Sequence, residues 1–554
     1  MQHRTLLCRW RPRQLATLAP LTLLAALASQ HAAAGDYYVD CSNTTSAQTG
    51  TLNEPWNTLA QANQHYFLPG DNLWFKRSSL CRGSFKPQGA GAAGNPVRVD
   101  AYGSGALPEL DGYGANSTVW LHNLAWWELR RLSITNSVQP AGAQAQGQRG
   151  VYVTLQDYGT GSHYVLQQLN IHDIAGYYDE TVKNSGKYAC ASGGIVIEAL
   201  SPVGTDPCTI SNAALPANTP AGVPSSFDDV LIDGNTLNNV ARQGIYSWSY
   251  WRRRAELGNA FGVWPNAGSW AGWTNVRISN NQLGNIGSDG IQVTNSSDAL
   301  VEHNVLKGFH TRGKTAQYAA GMWAVNADRT VFRFNEASGG QTTMDGMAFD
   351  IDHATRDTVF EYNFSHDNQG GFLLLCNKDG EVHDGGIVRY NISYNDSYQF
   401  IKTCDGPVTN VKVYNNTVYV PSGTKQALIL SAAPAKQTIA LLNNIFTHGG
   451  SASEVTLGQA KSSTYLWDHN LFYNYSAIPT DAYALTTVPL LNHCNNLPAL
   501  QSGNGYKLQA GSPAAGSGVS IASPGSQDYY GNPIPLSGVN RGAYQGSAQA
   551  CTTS

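Results

Sequence analysis

An Asn closely followed by a mostly aliphatic residue recurs along this chain, and no other feature restricts its fold so tightly. The positions are Asn170, Asn235, Asn281, Asn304, Asn335, Asn363, Asn391, Asn416, Asn444 and Asn470, and from Asn281 the steps are 23, 31, 28, 28, 25, 28 and 26 residues. A second series, a Gly that opens alternating apolar residues, runs out of phase with it at Gly150, Gly194, Gly244, Gly290, Gly321, Gly346 and Gly371. Two short strand-like segments in every unit exclude a helical solenoid. Such strands are too short to stand alone, but stacked coils let each pair with its equivalents ~4.8 Å above and below. The Asn side chains then form a ladder at an internal turn, each satisfying the backbone of the next coil. The repeat therefore predicts an all-β chain wound as a single-stranded parallel β-helix.

Composition agrees: 57 Gly and a charged fraction of only 13% suit many short strands joined by tight turns. The chain opens with Arg4, Arg9, Arg11 and Arg13, then an apolar run over 15–28, then Ala32 and Ala34. This is the pattern of a secretory signal peptide over 1–34, cleaved before Gly35. The apolar run is too short to span a bilayer, so the mature protein is expected in the periplasm or outside the cell, with no membrane attachment. Without the four leader Arg, 34 − 4 = 30 basic residues face 38 acidic ones, a net charge of −8. That balance leaves no electrostatic footprint for nucleic acid.

Eight cysteines remain after the leader, with no CxxC pair, which points to disulfides rather than a metal site. Sequence order suggests Cys41–Cys81, Cys190–Cys208, Cys376–Cys404 and Cys494–Cys551. The third pair gains support from the repeat. Cys376 lies five residues after Gly371 and Cys404 five after Gln399, one coil later. Neighbours stacked at that spacing satisfy disulfide geometry.

The ends of the chain add a resemblance. The segments NEPWNTLAQAN, LPGDNLWFKR and GNPVRVDAYGSGALPELDG lie within 53–112, and YKLQAGSPAAGSG, DYYGNPIP and RGAYQG lie within 506–546. They resemble the opening and closing segments of secreted bacterial right-handed β-helix proteins of the pectate-lyase-like superfamily. The resemblance implies a right-handed solenoid with an N-terminal cap and first coils over 35–130, repeats over 131–480 and a C-terminal closing segment over 481–554. It also implies a carbohydrate-active protein, while leaving the reaction open between lyases, hydrolases, epimerases and tail proteins.

The outward side chains of one strand column in such a fold form a long groove suited to a sugar chain. Counting from Gly346 in MDGMAFDID, alternation turns Met347, Phe349 and Ile351 inward. Ala348, Asp350 and Asp352 then share the outer face, with Asp345 just ahead. Carboxylates at i and i+2, roughly 7 Å apart at Cβ, suit a general acid and base pair. Asp350, Asp352 and Asp345 are thus the candidate catalytic residues. Against this, Asp298, Asp328, Asp352, Asp379 and Asp405 recur after successive strands, as turn residues do. Clustered carboxylates also suit Ca²⁺, which Asp350 and Asp352 would hold.

The coil between Asn235 and Asn281 spans 46 residues, about twenty more than its neighbours, and its insert is rich in Trp and Arg. Trp248, Tyr250, Trp251 and Arg252 there, with Trp323, His353 and Lys378 nearer the acids, are candidate substrate contacts. A glycoside hydrolase needs two carboxylates and no obligatory cofactor, and this group supplies them. A lyase or epimerase acting on a uronate polymer, with Ca²⁺, would use a Lys or Arg base. Lys378, Lys402 and Arg356 lie near the groove, but Lys402 falls in phase with inward positions. A non-catalytic glycan-binding solenoid would need the aromatics alone. The expectation is a polysaccharide-degrading glycoside hydrolase, monomeric because a capped solenoid closes its own core.

Overall fold

A computed structural model describes residues 34–45, 47–138, 147–176, 191–202, 222–258, 268–313, 318–493 and 497–550. Among these residues three long sheets hold fourteen, thirteen and eleven strands, and each sheet takes every third strand of the chain. One turn shows the rule. Met322–Val325 lies in the eleven-stranded sheet, Val331–Arg333 in the fourteen-stranded sheet and Glu336–Gly340 in the thirteen-stranded sheet. Phe349–Ile351 then returns to the eleven-stranded sheet, beside Met322–Val325 and parallel to it. The fold is the right-handed parallel β-helix that the repeat and the chain ends predict.

Alternation along each strand sends one set of side chains into the bore. In the eleven-stranded sheet a single inward column runs from Val119 and Val151 through Ile195, Ile245 and Ile291 to Met322, Phe349, Leu373 and Ile401. All are buried. Each such side chain is worth about 1.5–3 kcal/mol on leaving water, and a stacked column collects that gain coil after coil.

The Asn ladder is real and continuous from Asn235 to Asn470. Each Nδ2 donates to the Oδ1 of the next Asn, at 2.8 Å for Asn235–Asn281 and 3.0 Å for Asn444–Asn470. The same Nδ2 also donates to a backbone carbonyl, as Asn363 does to Phe332 O at 2.9 Å. The ladder ends on a carboxylate, where Asn470 Nδ2 meets Asp481 Oδ2 at 3.0 Å. Asn170 is not part of it. The ladder position in that coil is Leu169, whose N–H donates to Asn235 Oδ1, while Asn170 pairs with Thr236 one place further on.

The Gly series holds only in part. Gly194, Gly244, Gly290 and Gly321 stack so closely that a Cβ on Gly244 would lie 2.4 Å from Gly290 O, and one on Gly290 2.5 Å from Gly321 O. The position that follows Gly321 is Ala348, not Gly346, because Met322 pairs with Phe349. Gly346 instead makes a turn at φ 72°. Ala348 therefore packs in the core, not on the outer face expected from counting at Gly346. Phe349 and Ile351 point inward as expected, so Asp350 remains outward.

At the N-terminal end the helix Leu59–Gln64 carries a capping box between Thr58 and Gln61, and buries Leu59 and Ala62 against the core. Beyond Asp481 the chain runs back along the outside of the thirteen-stranded sheet. Leu491, Leu508 and Tyr544 there cover Ile392, Ile445 and Leu471. Cys41–Cys81 and Cys376–Cys404 are disulfides. Cys190–Cys208 and Cys494–Cys551 lie outside the described residues, as does the leader.

Candidate active site

The outer face of the eleven-stranded sheet carries a column that reads, coil by coil, Tyr152, Val196, Tyr246, Gln292, Trp323, Asp350, Leu374 and Lys402. Trp323 is thus the immediate neighbour of Asp350. Lys402 lies two strands beyond Asp350, roughly 10 Å away along the axis. This corrects the inward phase read for Lys402, because the strand Tyr398–Thr403 turns Phe400 and Ile401 into the core and leaves Lys402 outside.

Lys402 Nζ lies 2.8 Å from Asp345 Oδ1. That contact brings the Asp345 carboxylate over the same outer face, although Asp345 precedes the strand Phe349–Ile351. The three candidate acids therefore share one groove, but differ in access. The side chains of Asp345 and Asp352 are each 17% exposed, whereas Asp350 is 4% exposed and its Oδ1 is buried.

Asp352 is no repeated turn residue. Asp328 aligns with Ser297 in the preceding coil and with Arg356 in the following one, four residues past Asp352. Asp352 Oδ1 instead accepts from the backbone N–H of His353 at 2.8 Å and lies 3.3 Å from His353 Nε2. The other imidazole nitrogen, Nδ1, is 2.7 Å from Glu381 Oε2. Burial works against a charged His353, but the Asp352 and Glu381 carboxylates outweigh it and raise its pKa above the ordinary histidine value. His383, wholly buried and close to that positive charge, is pushed down to about 4.

Asp352, His353 and Cys376 place potential ligand atoms within 4.8 Å of one another. The Cys376 sulfur, however, is bonded to Cys404 and offers no thiolate, so this group lacks the donor a soft metal needs.

The long insert runs parallel to the solenoid axis. After the strand Gln243–Ser249, Arg252 O accepts from Asn326 Nδ2 at 2.9 Å, and Arg254 grips Asp328 with two hydrogen bonds of 3.0 and 2.8 Å. Leu257 packs on Ala354, and its carbonyl accepts from Val382 N at 3.2 Å. Residues 252–258 thus form a strap that crosses successive coils and walls the groove on the side of His353 and Glu381. Residues 259–267 of the insert lie outside the described residues.

The insert's aromatics divide. Trp248 is on the outer face, stacked near Tyr246 at 6.4 Å between centroids, with the Arg252 guanidinium 5.1 Å from its ring centroid. Tyr250 is half-buried. Trp251 is packed into the main core rather than offered to a ligand. Lys378 is exposed in the turn that follows Leu373–Leu375.

Sequence reasoning missed three groups and misdirected a fourth. Glu381 was findable, since it lies 28 residues, one coil, after the His353 it contacts. Lys402 was lost to a phase error. The others are Glu198 and Arg149, both buried on coils before the insert. Arg149 stacks 3.8 Å over the Tyr152 ring, and the Tyr152 hydroxyl donates to Glu198. Full burial raises the Glu198 pKa, and Arg149 and Tyr152 only partly offset that.

Comparison with known proteins adds three relationships. Residues 262–446 match the family model for the right-handed β-helix region. The chain is 26% identical to a lacto-N-biosidase of Bifidobacterium longum subsp. longum over 90% of its own length, yet spans only 36% of that relative. Two crystal structures of a GH136 lacto-N-biosidase from Eubacterium ramulus superpose with TM-scores of 0.56 and 0.54 at 22% and 20% identity. They cover 76% and 82% of this chain and 68% of theirs. At such identities the structural likeness speaks for the fold. The chain is a right-handed parallel β-helix protein.

Proposed function

We propose that this protein is a secreted glycoside hydrolase that cuts a polysaccharide or oligosaccharide in the outer groove of its eleven-stranded sheet. The observation that carries the proposal is the sequence relationship to a lacto-N-biosidase across 90% of the chain. The groove supplies what hydrolysis needs, two carboxylates that solvent and substrate can reach. Asp345 and Asp352 are those two. Asp350 lies enclosed beside Trp323 on the strand between them. Trp323 and Trp248 lie on the same outer face but are buried in the floor of the groove, 3% and 5% exposed, and the Arg252–Gly258 strap closes one side. The basic and apolar leader and the disulfides fit export to an oxidising compartment.

Hydrolysis by two carboxylates requires no metal ion. Lys402 on Asp345 and the charge-favouring His353 on Asp352 already neutralise the acids, which disfavours a calcium ion between them. One observation favours a second reading. Lys402 stands on an outer strand position, where a lyase would hold its base. Its Nζ is already engaged by Asp345 at 2.8 Å, and that counts against the role.

The test is a glycan screen that includes nitrophenyl lacto-N-bioside, read both by reducing ends and by the ultraviolet absorbance of an unsaturated uronate. Reducing ends without absorbance, unchanged by a calcium chelator, are expected. Asp345→Asn and Asp352→Asn are each expected to lower kcat by about 10²–10⁴-fold, and Asp350→Asn by less. New absorbance that depends on Lys402 would replace the hydrolase by a lyase.

A further inference from the structure

An open cleft of about 590 Å³ lies at the corner where the thirteen-stranded sheet turns into the eleven-stranded one. That volume is within the range of roughly 300–1,000 Å³ typical of small-molecule sites. Thr343, Gln369, Asn395, Tyr398 and Lys425 line it. It adjoins the candidate acids by chain and by packing. Thr343 is two residues from Asp345, and Gln369 precedes Gly370, whose Cβ would fall 1.9 Å from Asp345 O. Tyr398 opens the strand Tyr398–Thr403 that carries Lys402, the ion-pair partner of Asp345. A chain lying over Asp345 and leaving the groove on this side would enter the cleft.

The lining suits sugars without charge. Tyr398 is 46% exposed and presents an aromatic surface. Amides and hydroxyls make up most of the remainder. Asp367, the cleft's carboxylate, is held 2.7 Å from His366 Nδ1 and 2.5 Å from Asn395 Nδ2. The walls are fixed across coils: Thr424 Oγ1 donates to Asn395 Oδ1 at 2.6 Å, and Tyr398 N to Lys425 O at 2.8 Å. A single Lys is too little to select an anionic polymer, whereas a ring face ringed by neutral donors and acceptors matches a pyranose.

We infer that this cleft binds neutral sugar units of the substrate that extend past Asp345, so that the protein prefers glycans longer than the unit it releases. The inference rests on the proposed hydrolase activity, but its test does not need catalysis. Full-length protein carrying Asp352→Asn is titrated with neutral oligosaccharides of milk-type, xylan and mannan series, graded from disaccharide to octasaccharide. Tyr398→Ala and Tyr398→Phe are made in the same background. The expected result is affinity that grows with length, falls about tenfold for the longer members in Tyr398→Ala, and returns in Tyr398→Phe. Equal loss at every length, no loss, or no binding of any neutral series overturns the inference. Length-dependent binding through Tyr398 without hydrolysis by the wild type would instead fail the hydrolase proposal and leave the cleft standing.

Discussion

His353 shows how a single residue can tie the groove to pH. Its imidazole sits between Asp352 and Glu381, and its pKa is raised in the folded state. A raised basic group contributes its full stability below the ordinary histidine value, and that contribution is lost as pH rises through the raised one. The melting temperature of the wild type is therefore expected to fall on going above neutrality more steeply than that of His353→Gln. Glutamine can still donate to the buried Glu381, so the variant should cost only about 1–2 kcal/mol at neutral pH in urea unfolding. The same residue explains why Asp352 differs from the aspartates it superficially repeats. His353 follows Asp352 in the chain, but Glu381, which holds the other side of the imidazole, comes from the adjoining coil, and no count along one strand reveals it.

Within each coil, the turn that carries the ladder is the element most sensitive to substitution. Asn363→Ala would leave Asn335 without its acceptor and Phe332 O without its donor, all of them buried. Unmet buried groups cost about 1–3 kcal/mol each, so a loss of about 3 kcal/mol in equilibrium unfolding is expected. Asp396 offers a change of the opposite sign. It takes hydrogen bonds from Asn368 Nδ2 at 2.8 Å and Ser393 Oγ at 2.7 Å, and burial pushes its pKa up to about 6. A raised carboxyl group holds its proton more tightly folded than unfolded, so the folded state loses stability as pH rises through that value. Asp396→Asn keeps the shape without the charge, and should raise the unfolding free energy at pH above about 7 by about 1–3 kcal/mol.

At the scale of the whole molecule the groove depends on the strap, and the strap depends on one buried ion pair. Arg254 and Asp328 join an insert to a coil 74 residues away, and both side chains are nearly closed off from solvent. Arg254→Ala leaves Asp328 buried and uncompensated, a loss expected at about 3–5 kcal/mol in thermal or chemical unfolding. Because the strap walls the acids, the variant should also lose the proposed hydrolase activity. Arg254→Ala combined with Asp328→Asn should recover stability without recovering the wall.

How much was legible follows from the kind of information each feature uses. Stacked coils place equivalent residues one repeat apart, so the ladder and the Cys376–Cys404 disulfide were readable as spacing in the chain, whereas the pairing of Trp323 with Asp350 came from the structure. Errors arose where a coil departs from its neighbours. The turn at Gly346 shifted the glycine count and misplaced Ala348, and the Lys402 phase failed two coils later, where Phe400 and Ile401 both turn inward. Which carboxylates reach solvent was decided by the tertiary structure alone. Lys402 draws Asp345 over the groove, His353 holds Asp352 and the neighbouring coils enclose Asp350. A linear sequence carries period and polarity, whereas access depends on what the coils before and after happen to project. The chain by itself therefore determined a parallel β-helix with its candidate acids on one outer face, and only the packed coils separated the two open acids from the enclosed one.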